Sequence, residues 1–326
     1  MNKFLRNILC LLLPLALLAW PADRWLSNRL KHSFGMAQGE FSVWEDIYSA
    51  QMNNEIAIYG SSRAWCHYDP EILQDSLNAA AYNFGMDGYG FYMQHMRHLE
   101  YFKHNKHPKY IILNLDLFTF EMPKGLYNAT QFIPYMRSSA NMQSYMLPLQ
   151  GFNRYDYHVP LLRYYGRKSE CLGLISDAVQ GKQSQPVRHK GYHANPSEWN
   201  EDFKNAAKLM EKYSIVIDSP VVQLMDRFLT DCARENIQVV MVYSPENIAI
   251  RGFLRNKQQL VDLFRNMAQK HNLLFLDYAD DPLCYDRSNF YNASHLNARG
   301  SRLFTQKLGH YLKTNGFMPK NMALTP

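Results

Sequence analysis

Five short apolar runs are spaced along the chain, and amphipathic stretches separate them. The runs cover residues 55–59, 80–84, 110–115, 237–243 and 273–277, and their length is typical of buried strands. Apolar positions at helical spacing predict helices over about 91–103, 221–235, 255–271 and 298–312. Strands that alternate with helices favour a parallel sheet. The pattern therefore predicts an α/β fold with a doubly wound, five-stranded parallel sheet of flavodoxin-like type.

One long segment breaks this alternation. Residues 121–205 are rich in Tyr, Pro, Gly, Asn and Ser, and we interpret them as an irregular insertion that is partly helical around 160–179. The core then comprises about 54–120 and 206–314. Between 151 and 195 the insertion is basic and rich in tyrosine, which fits either a lid over an anionic or sugar ligand or a solvated cap whose aromatic residues pack inward.

The N-terminus has the pattern of an export signal. Lys3 and Arg6 precede an apolar run over 8–20, which is followed by an amphipathic stretch. Because no small-x-small cleavage site follows, we interpret 1–31 as an uncleaved signal anchor. The domain at 32–326 then lies outside the cytoplasm, at the periplasmic side of the inner membrane or at the cell surface. The alternative is a signal peptide cleaved near residue 22.

The net charge of +6 does not indicate nucleic-acid binding. Residues 1–31 carry +4 of it, and the remainder has 30 basic against 28 acidic residues. No basic aromatic platform or recognition-helix pattern is present, so no nucleic-acid partner is predicted.

Neither cysteine nor histidine spacing predicts a metal site or a cofactor. The five cysteines show no C-x-x-C pair, and the four outside the apolar run fit two disulfides or buried free thiols equally well. The pairs His95/His98, His104/His107 and His189/His193 have metal-compatible spacing. We interpret them as solvated polar faces instead.

Candidate chemistry lies at the end of the first predicted strand. The stretch "IYGSSRAWCHYD" places Gly60, Ser61 and Ser62 at a strand's carboxyl end, where ligands bind in open α/β sheets. A serine becomes a nucleophile when a histidine removes its proton. The stretch "FYNASHLNARGSRLF" supplies His295 just before the last predicted helix, which in this fold returns to the first strand.

These two stretches resemble the SGNH (GDSL-like) hydrolases. The likeness is greatest to membrane-anchored members associated with membrane-bound O-acyltransferases in envelope polysaccharide modification, and it covers about 54–120 and 218–314. It implies that Ser62 is the nucleophile and His295 the base. It further implies that the backbone amides of Ser62 and Gly88 stabilise the oxyanion, with Gly85 of "NFGMDGYG" as the reserve donor.

Two positions depart from the family pattern. The aspartate expected three residues before the histidine is Asn292, so Asp286 is the alternative acid. The oxyanion asparagine expected after the third strand aligns with Asp116, or with Asn114 if the alignment slips by two residues. An asparagine does not stabilise an imidazolium as a carboxylate does, and an ionised Asp116 facing the oxyanion would repel it.

Three functions fit these residues. The first is acyl transfer to or from an envelope carbohydrate, and the second is hydrolysis of its acyl esters. The third is a non-catalytic accessory protein that binds carbohydrate and partners a membrane-bound O-acyltransferase. In the non-catalytic interpretation, Ser62 is a turn cap, His295 a loop histidine and Arg63 a surface charge.

Overall fold

A parallel sheet of five strands confirms the predicted α/β fold. The computed structural model describes residues 3–31, 39–166, 168–180, 188–200, 214–253 and 255–317. The strands are β1 (Ile56–Tyr59), β2 (Ala81–Asn83), β3 (Tyr110–Leu115), β4 (Gln238–Tyr243) and β5 (Leu274–Asp277). Their spatial order is β2-β1-β3-β4-β5, and every neighbouring pair is parallel. The carboxyl ends of all five strands therefore lie at one edge of the sheet.

Twelve helices lie within the described residues, besides short 3₁₀ turns. They are α1 (Lys3–Lys31), α2 (Glu40–Ser49), α3 (Ser62–His67), α4 (Pro70–Leu77), α5 (Phe91–His104), α6 (Ala140–Met146), α7 (Arg154–His158), α8 (Leu162–Tyr165), α9 (Lys168–Gln180), α10 (Ser219–Arg234), α11 (Lys257–Lys270) and α12 (Ala298–Thr314).

Alternate residues of the strands pack on opposite faces of the sheet. Ile56 and Ile58 of β1 join a core with Leu73 of α4 and Leu308 of α12. Tyr59, which has the opposite parity, contacts Phe228 of α10. Because successive side chains of a strand point to opposite faces, a strand covered on both sides must be apolar throughout. This explains the continuous apolar runs of the sequence.

The chain divides into two compact units. The anchor unit comprises residues 1–49 and 124–187, and the sheet unit comprises 50–123 and 188–326. The predicted boundaries between anchor, core and insertion stay predictions, and the ends of the insertion and of the anchor fall at 201–213 and 32–38, outside the described residues. The predicted lid also falls partly on residues 167 and 181–187, outside them.

Helix α1 has two halves with different environments. Its N-terminal half is apolar and exposed, with Leu11 and Leu17 each about two-thirds accessible. The segment Arg6–Lys31 is long and apolar enough to cross a membrane. In the second half, Leu26 and Leu30 are buried, and α1 contacts α2 and α9 of the anchor unit. Burial one turn apart is the pattern of a helix packed along one face.

Two sequence interpretations change in the structure. His98 is buried against Phe228 and Phe102 instead of lying on a solvated face, because α5 is covered by α10 on that side. The cysteines all lie in the described ranges, and all five are free thiols, four of them buried. Of the two alternatives for these four, the structure has the buried thiols.

Candidate active site

The turn after β1 presents Ser62 at the carboxyl edge of the sheet. Gly60 has φ +150°, and a Cβ there would lie 2.7 Å from Cβ of Ala64 and 2.8 Å from Cβ of Asn114, so only glycine fits. The hydroxyl of Ser61 then caps α3 by accepting the backbone N–H of Arg63. Ser62 is the first residue of α3 and is half-buried, which leaves its hydroxyl accessible.

His295 lies in a closed loop immediately before α12. Phe290 and Leu296 pair as an antiparallel bridge, and both side chains are fully buried. The backbone N–H of Tyr291 donates to the carbonyl of His295 at 3.1 Å, and the side chain of Asn297 caps α12. These contacts fix the backbone on both sides of the histidine.

The structure brings Ser62, His295 and Asn292 together in a line. Oγ of Ser62 lies 2.8 Å from Nε2 of His295, and Nδ1 of His295 lies 2.9 Å from Oδ1 of Asn292. The backbone amides of His295 and Ser294 donate to the same Oδ1 at 3.0 and 3.1 Å. A group that accepts two N–H donors must be the oxygen of the amide, so Nδ1 of His295 carries the ring proton. Nε2 is therefore the acceptor that faces the serine hydroxyl.

The electrostatic environment keeps His295 neutral. Burial lowers the pKa of His295 to about 3, and the positive charge of Arg63 acts in the same direction. At neutral pH the imidazole is therefore free to accept a proton. The same environment disfavours the imidazolium that would form, and Asn292 contributes no charge to offset this.

Two backbone amides are placed to receive negative charge near Ser62. The N–H of Ser62 itself begins α3, where the first helical N–H groups have no partner within the helix. Gly88 lies in an exposed turn with φ +72°. The reserve candidate Gly85 is excluded, because its N–H donates to Oδ1 of Asn83 at 2.9 Å.

Neither candidate for the third-block position faces Ser62. Oδ2 of Asp116 accepts the hydroxyl of Ser61 at 2.6 Å and the amide of Asn114 at 3.2 Å. The amide oxygen of Asn114 in turn accepts the hydroxyl of Tyr68 at 2.7 Å. The side chain of Asp116 is thus engaged below the nucleophile turn, which removes the expected repulsion with an oxyanion.

Asp116 belongs to a buried ionic cluster, which we define as Arg63, Asp116, Glu246 and Lys257. Arg63 lies 3.4 Å from Asp116 and 3.6 Å from Glu246, and Glu246 also pairs with Lys257. Arg63 is only 3% exposed, so its interpretation as a surface charge is wrong. Its guanidinium donates to the carbonyl of Ser244 and lies over the ring of Tyr243.

Burial sets the protonation of this cluster more than its ion pairs do. Desolvation raises the pKa of Asp116 above its usual value, although Arg63 and the Ser61 hydrogen bond act to lower it. The formal charges of the cluster cancel. Removing one partner of a buried pair costs about 3–5 kcal/mol. The ionic cluster therefore fixes the turn that carries Ser62.

His67 supports the His295 loop from below. Its Nε2 accepts the backbone N–H of Leu296 at 2.9 Å, and its Nδ1 lies 2.9 Å from the hydroxyl of Ser244. Since Nε2 is an acceptor, Nδ1 carries the proton and donates to Ser244. Burial lowers the pKa of His67 well below its usual value. Sequence reasoning missed both residues, although polar groups follow β4 at the same sheet edge as Ser62.

Asp286, the alternative acid, lies away from the histidine. Its carboxylate caps the 3₁₀ turn Arg287–Asn289 through the N–H of Ser288 and lies 3.8 Å from Arg299 on the surface. The hydrogen bonds from Ser288 and the charge of Arg299 lower the pKa of Asp286. The only oxygen at Nδ1 of His295 with backbone support, among the described residues, belongs to Asn292.

No metal-binding group appears in the described part of the chain. Within those residues, no three His, Cys, Asp or Glu side chains lie close enough together to hold an ion. The absence of a metal and of a cofactor at the site stays a prediction.

Comparisons with known proteins give little beyond this geometry. No family model matches the chain, and no curated protein matches it. Among solved structures, the chain is similar to one described as "The structure of a putative platelet activating factor from Streptococcus pneumonia". The identity is 10% and the TM-score is 0.39, with 96% of this chain and 100% of that chain covered. The functional inference therefore depends on the arrangement of Ser62, His295 and Asn292.

Proposed function

We propose that this protein is an SGNH-type serine acyl-transfer enzyme, an acyltransferase or esterase that acts on acetyl or other acyl esters of cell-envelope carbohydrate. The observation that carries the proposal is the 2.8 Å contact between Oγ of Ser62 and Nε2 of His295, with the tautomer fixed by Asn292. A serine, a correctly protonated histidine and an orienting third residue are the parts that nucleophilic acyl transfer requires.

The reaction proceeds in two steps at this site. Oγ of Ser62 attacks the carbonyl carbon of the ester while its proton passes to Nε2 of His295, and the oxyanion is stabilised by the amides of Ser62 and Gly88. His295 then protonates the departing alcohol oxygen, which leaves an acyl–Ser62 ester. A sugar hydroxyl or water next gives its proton to His295 and takes the acyl group, so transfer and hydrolysis differ only in the acceptor.

The surroundings of Ser62 support a carbohydrate ligand. Trp65 lies one helical turn after Ser62, and its indole N–H is buried without a hydrogen-bond partner among the described residues. The guanidinium of Arg188 lies 4.6 Å from the Trp65 ring, and the ring of Tyr291 stacks on His295 at 5.3 Å. Aromatic faces beside unsatisfied polar groups suit a ligand with both apolar and hydroxyl surfaces, as sugars have.

The N-terminal helix supports a location at a membrane. We propose that α1 is an uncleaved anchor and that the rest of the chain lies on the extracytoplasmic side. An anchored enzyme can receive an acyl group where a membrane-bound O-acyltransferase delivers it, which makes such a protein the proposed partner.

A second function is favoured by one observation. Asn292 provides no negative charge, and burial lowers the pKa of His295 to about 3, so the pair has a weak base. A non-catalytic accessory protein that binds carbohydrate and partners the acyltransferase would keep the fold with such a site. The two functions differ in whether Ser62 reacts.

A fluorophosphonate probe separates the two functions. Full-length protein in mild detergent should be labelled covalently, because the probe forms a bond to a serine that a histidine activates. Ser62→Ala should abolish the labelling. Ser61→Ala serves as the matched control, since the Ser61 hydroxyl faces Asp116 instead of His295.

Each outcome of this experiment is informative. Labelling that survives Ser62→Ala would identify a different nucleophile. Loss of labelling in Ser61→Ala with a folded protein would mean that the assignment within the serine pair is wrong. A wild-type protein that binds acetylated glycan but never reacts with the probe would support the accessory function.

A further inference from the structure

A cationic pocket lies where the exposed half of α1 meets the rest of the anchor unit. Its volume is about 380 Å³. The pocket is lined by Trp20, Asp23, Arg24, Ser27, Asn28, Lys31, Pro134, Arg137, Ser138 and Arg163. Four of these side chains are cationic and one is a carboxylate, so the pocket has an excess of positive charge.

The single carboxylate is already fully engaged. Asp23 accepts two hydrogen bonds from the guanidinium of Arg163, at 2.6 and 2.9 Å, and the backbone N–H of Leu161 at 2.7 Å. Arg137 adds an ion pair to it at 3.1 Å. The remaining donors of Arg163 are used by Ser27 and the carbonyl of Ile133. Asp23 and Arg163 are therefore structural.

Arg24 and Lys31 are left with their charge uncompensated. Within the described residues neither forms an ion pair with a carboxylate, and Lys31 lies instead over the rings of Tyr48 and Tyr135. Arg137 lies over the ring of Trp20 at 4.1 Å, which closes the pocket on the side of the apolar run. A cationic pocket without an internal counter-ion fits an anionic ligand.

The position of the pocket along α1 indicates where that anion comes from. From Phe4 to Trp20 an α-helix rises about 25 Å, close to the hydrocarbon thickness of a bilayer of roughly 30 Å. Trp20 and Trp25 are each about half exposed, and tryptophan concentrates at the membrane–water interface. The pocket begins at Trp20, which is the depth of lipid phosphates.

We propose that this pocket binds the phosphate of an anionic phospholipid headgroup, with Arg24 and Lys31 as its cationic ligands and Trp20 against the glycerol region. This inference depends on the anchor that we propose for α1, but not on the chemistry of Ser62. The bound lipid would fix the tilt and rotation of α1 and so hold the anchor unit against the membrane surface.

Lipid binding by purified full-length protein tests the proposal. In detergent micelles, short-chain phosphatidylglycerol and phosphatidylcholine are titrated and the bound lipid is counted by native mass spectrometry. Wild type should prefer phosphatidylglycerol, and the double variant Arg24→Gln/Lys31→Gln should lose affinity for it by about tenfold or more. Arg29→Gln is the matched control, because Arg29 is an exposed cation of the same helix outside the pocket.

Further arms separate the explanations. The conservative variant Arg24→Lys/Lys31→Arg should retain the preference, and fluorophosphonate labelling together with thermal unfolding reports whether each variant is folded. Inorganic phosphate that binds as tightly as phosphatidylglycerol would overturn the lipid source. An unchanged affinity in the glutamine variant, or an equal loss in Arg29→Gln, would overturn the site. Because micelles need no anchoring, a failed membrane association would count against the anchor alone.

Discussion

Asn292 accepts hydrogen bonds from two backbone amides and from the ring of His295 through one oxygen. This geometry prevents the amide from flipping, so the imidazole keeps the tautomer that a catalytic base needs. In a serine protease, an Asp to Asn change costs about 10⁴ in turnover, partly through the wrong tautomer. At this site the tautomer is correct, and the missing element is the negative charge.

Asn292→Asp is therefore expected to raise esterase turnover. The carboxylate accepts the same N–H donors and stabilises the imidazolium that forms when His295 takes the serine proton. We expect an increase of about tenfold or more in kcat on an activated acetyl ester. The change also raises the low pKa of His295, so the acidic limb of the pH–rate profile should move to higher pH.

His295→Ala should remove the activity both in the wild-type chain and in combination with Asn292→Asp. Asp286→Asn should leave the activity unchanged, because Asp286 lies at the surface beside Arg299. A sharp loss of activity in Asp286→Asn would assign the acid to Asp286 in solution. If Asn292→Asp and His295→Ala both leave the rate unchanged, acyl transfer does not use this histidine.

At this scale the sequence predicts residues whose role depends on local order along the chain. Ser62 follows a glycine at a strand end, and His295 precedes a helix, so pattern and spacing place both. Arg63 is different, because its partners Asp116 and Glu246 follow two other strands and meet it only through the sheet order. A charged residue is expected to be exposed until its partners are known.

Helix α5 shows the same limit for a whole element. Apolar spacing predicts its bounds to within a residue or two. The identity of its buried face depends on α10, which packs on it from far along the chain. His98 therefore lies against Phe228 with Nδ1 accepting the hydroxyl of Tyr59 at 3.1 Å. Burial lowers the pKa of His98 well below its unfolded value, and His95 and His107 act in the same direction.

His98 should make the stability of the sheet unit depend on pH. A histidine whose folded pKa is depressed stabilises the fold fully above its unfolded pKa of 6.5, and this contribution is lost as pH falls toward the folded pKa. His98→Phe removes this proton linkage. Between pH 7.5 and 5, wild type should lose more unfolding free energy than His98→Phe, by up to about 1.4 kcal/mol for each pH unit below 6.5.

Denaturant unfolding at several pH values measures this difference. Comparing variants cancels other groups that titrate in the same range, such as Asp116, whose raised pKa acts in the opposite direction. His310→Gln, at an exposed position of α12, should keep the wild-type slope. Parallel pH dependences for wild type and His98→Phe would show that His98 is protonated in the fold or that the unfolded state shares its low pKa.

For the whole molecule, the parallel sheet follows from the sequence pattern but the membership of the units does not. Parallel strands joined by helices have few allowed arrangements, so the sheet could be predicted. The anchor unit joins residues 1–49 to 124–187, and its buried ion pair links Asp23 to Arg163. A single carboxylate after an apolar run carries no signal of a partner 140 residues away.

This ion pair bears on whether α1 is retained in the mature protein. Cleavage near residue 22 would place a charged α-amino group at Asp23, beside the buried guanidinium of Arg163, and would remove Trp20 from under Arg137. We therefore expect full-length protein to stay in the membrane fraction after a carbonate wash, with its N-terminal peptide detected by mass spectrometry. Leu12→Arg/Leu13→Arg should release it, because each arginine costs about 2.5–3.5 kcal/mol at the centre of a spanning helix. Leu303→Arg, on the exposed face of α12, should leave the distribution unchanged. A mature N-terminus at or near Asp23 would instead identify residues 1–22 as a removed signal peptide, and the helix that packs in the anchor unit would begin there.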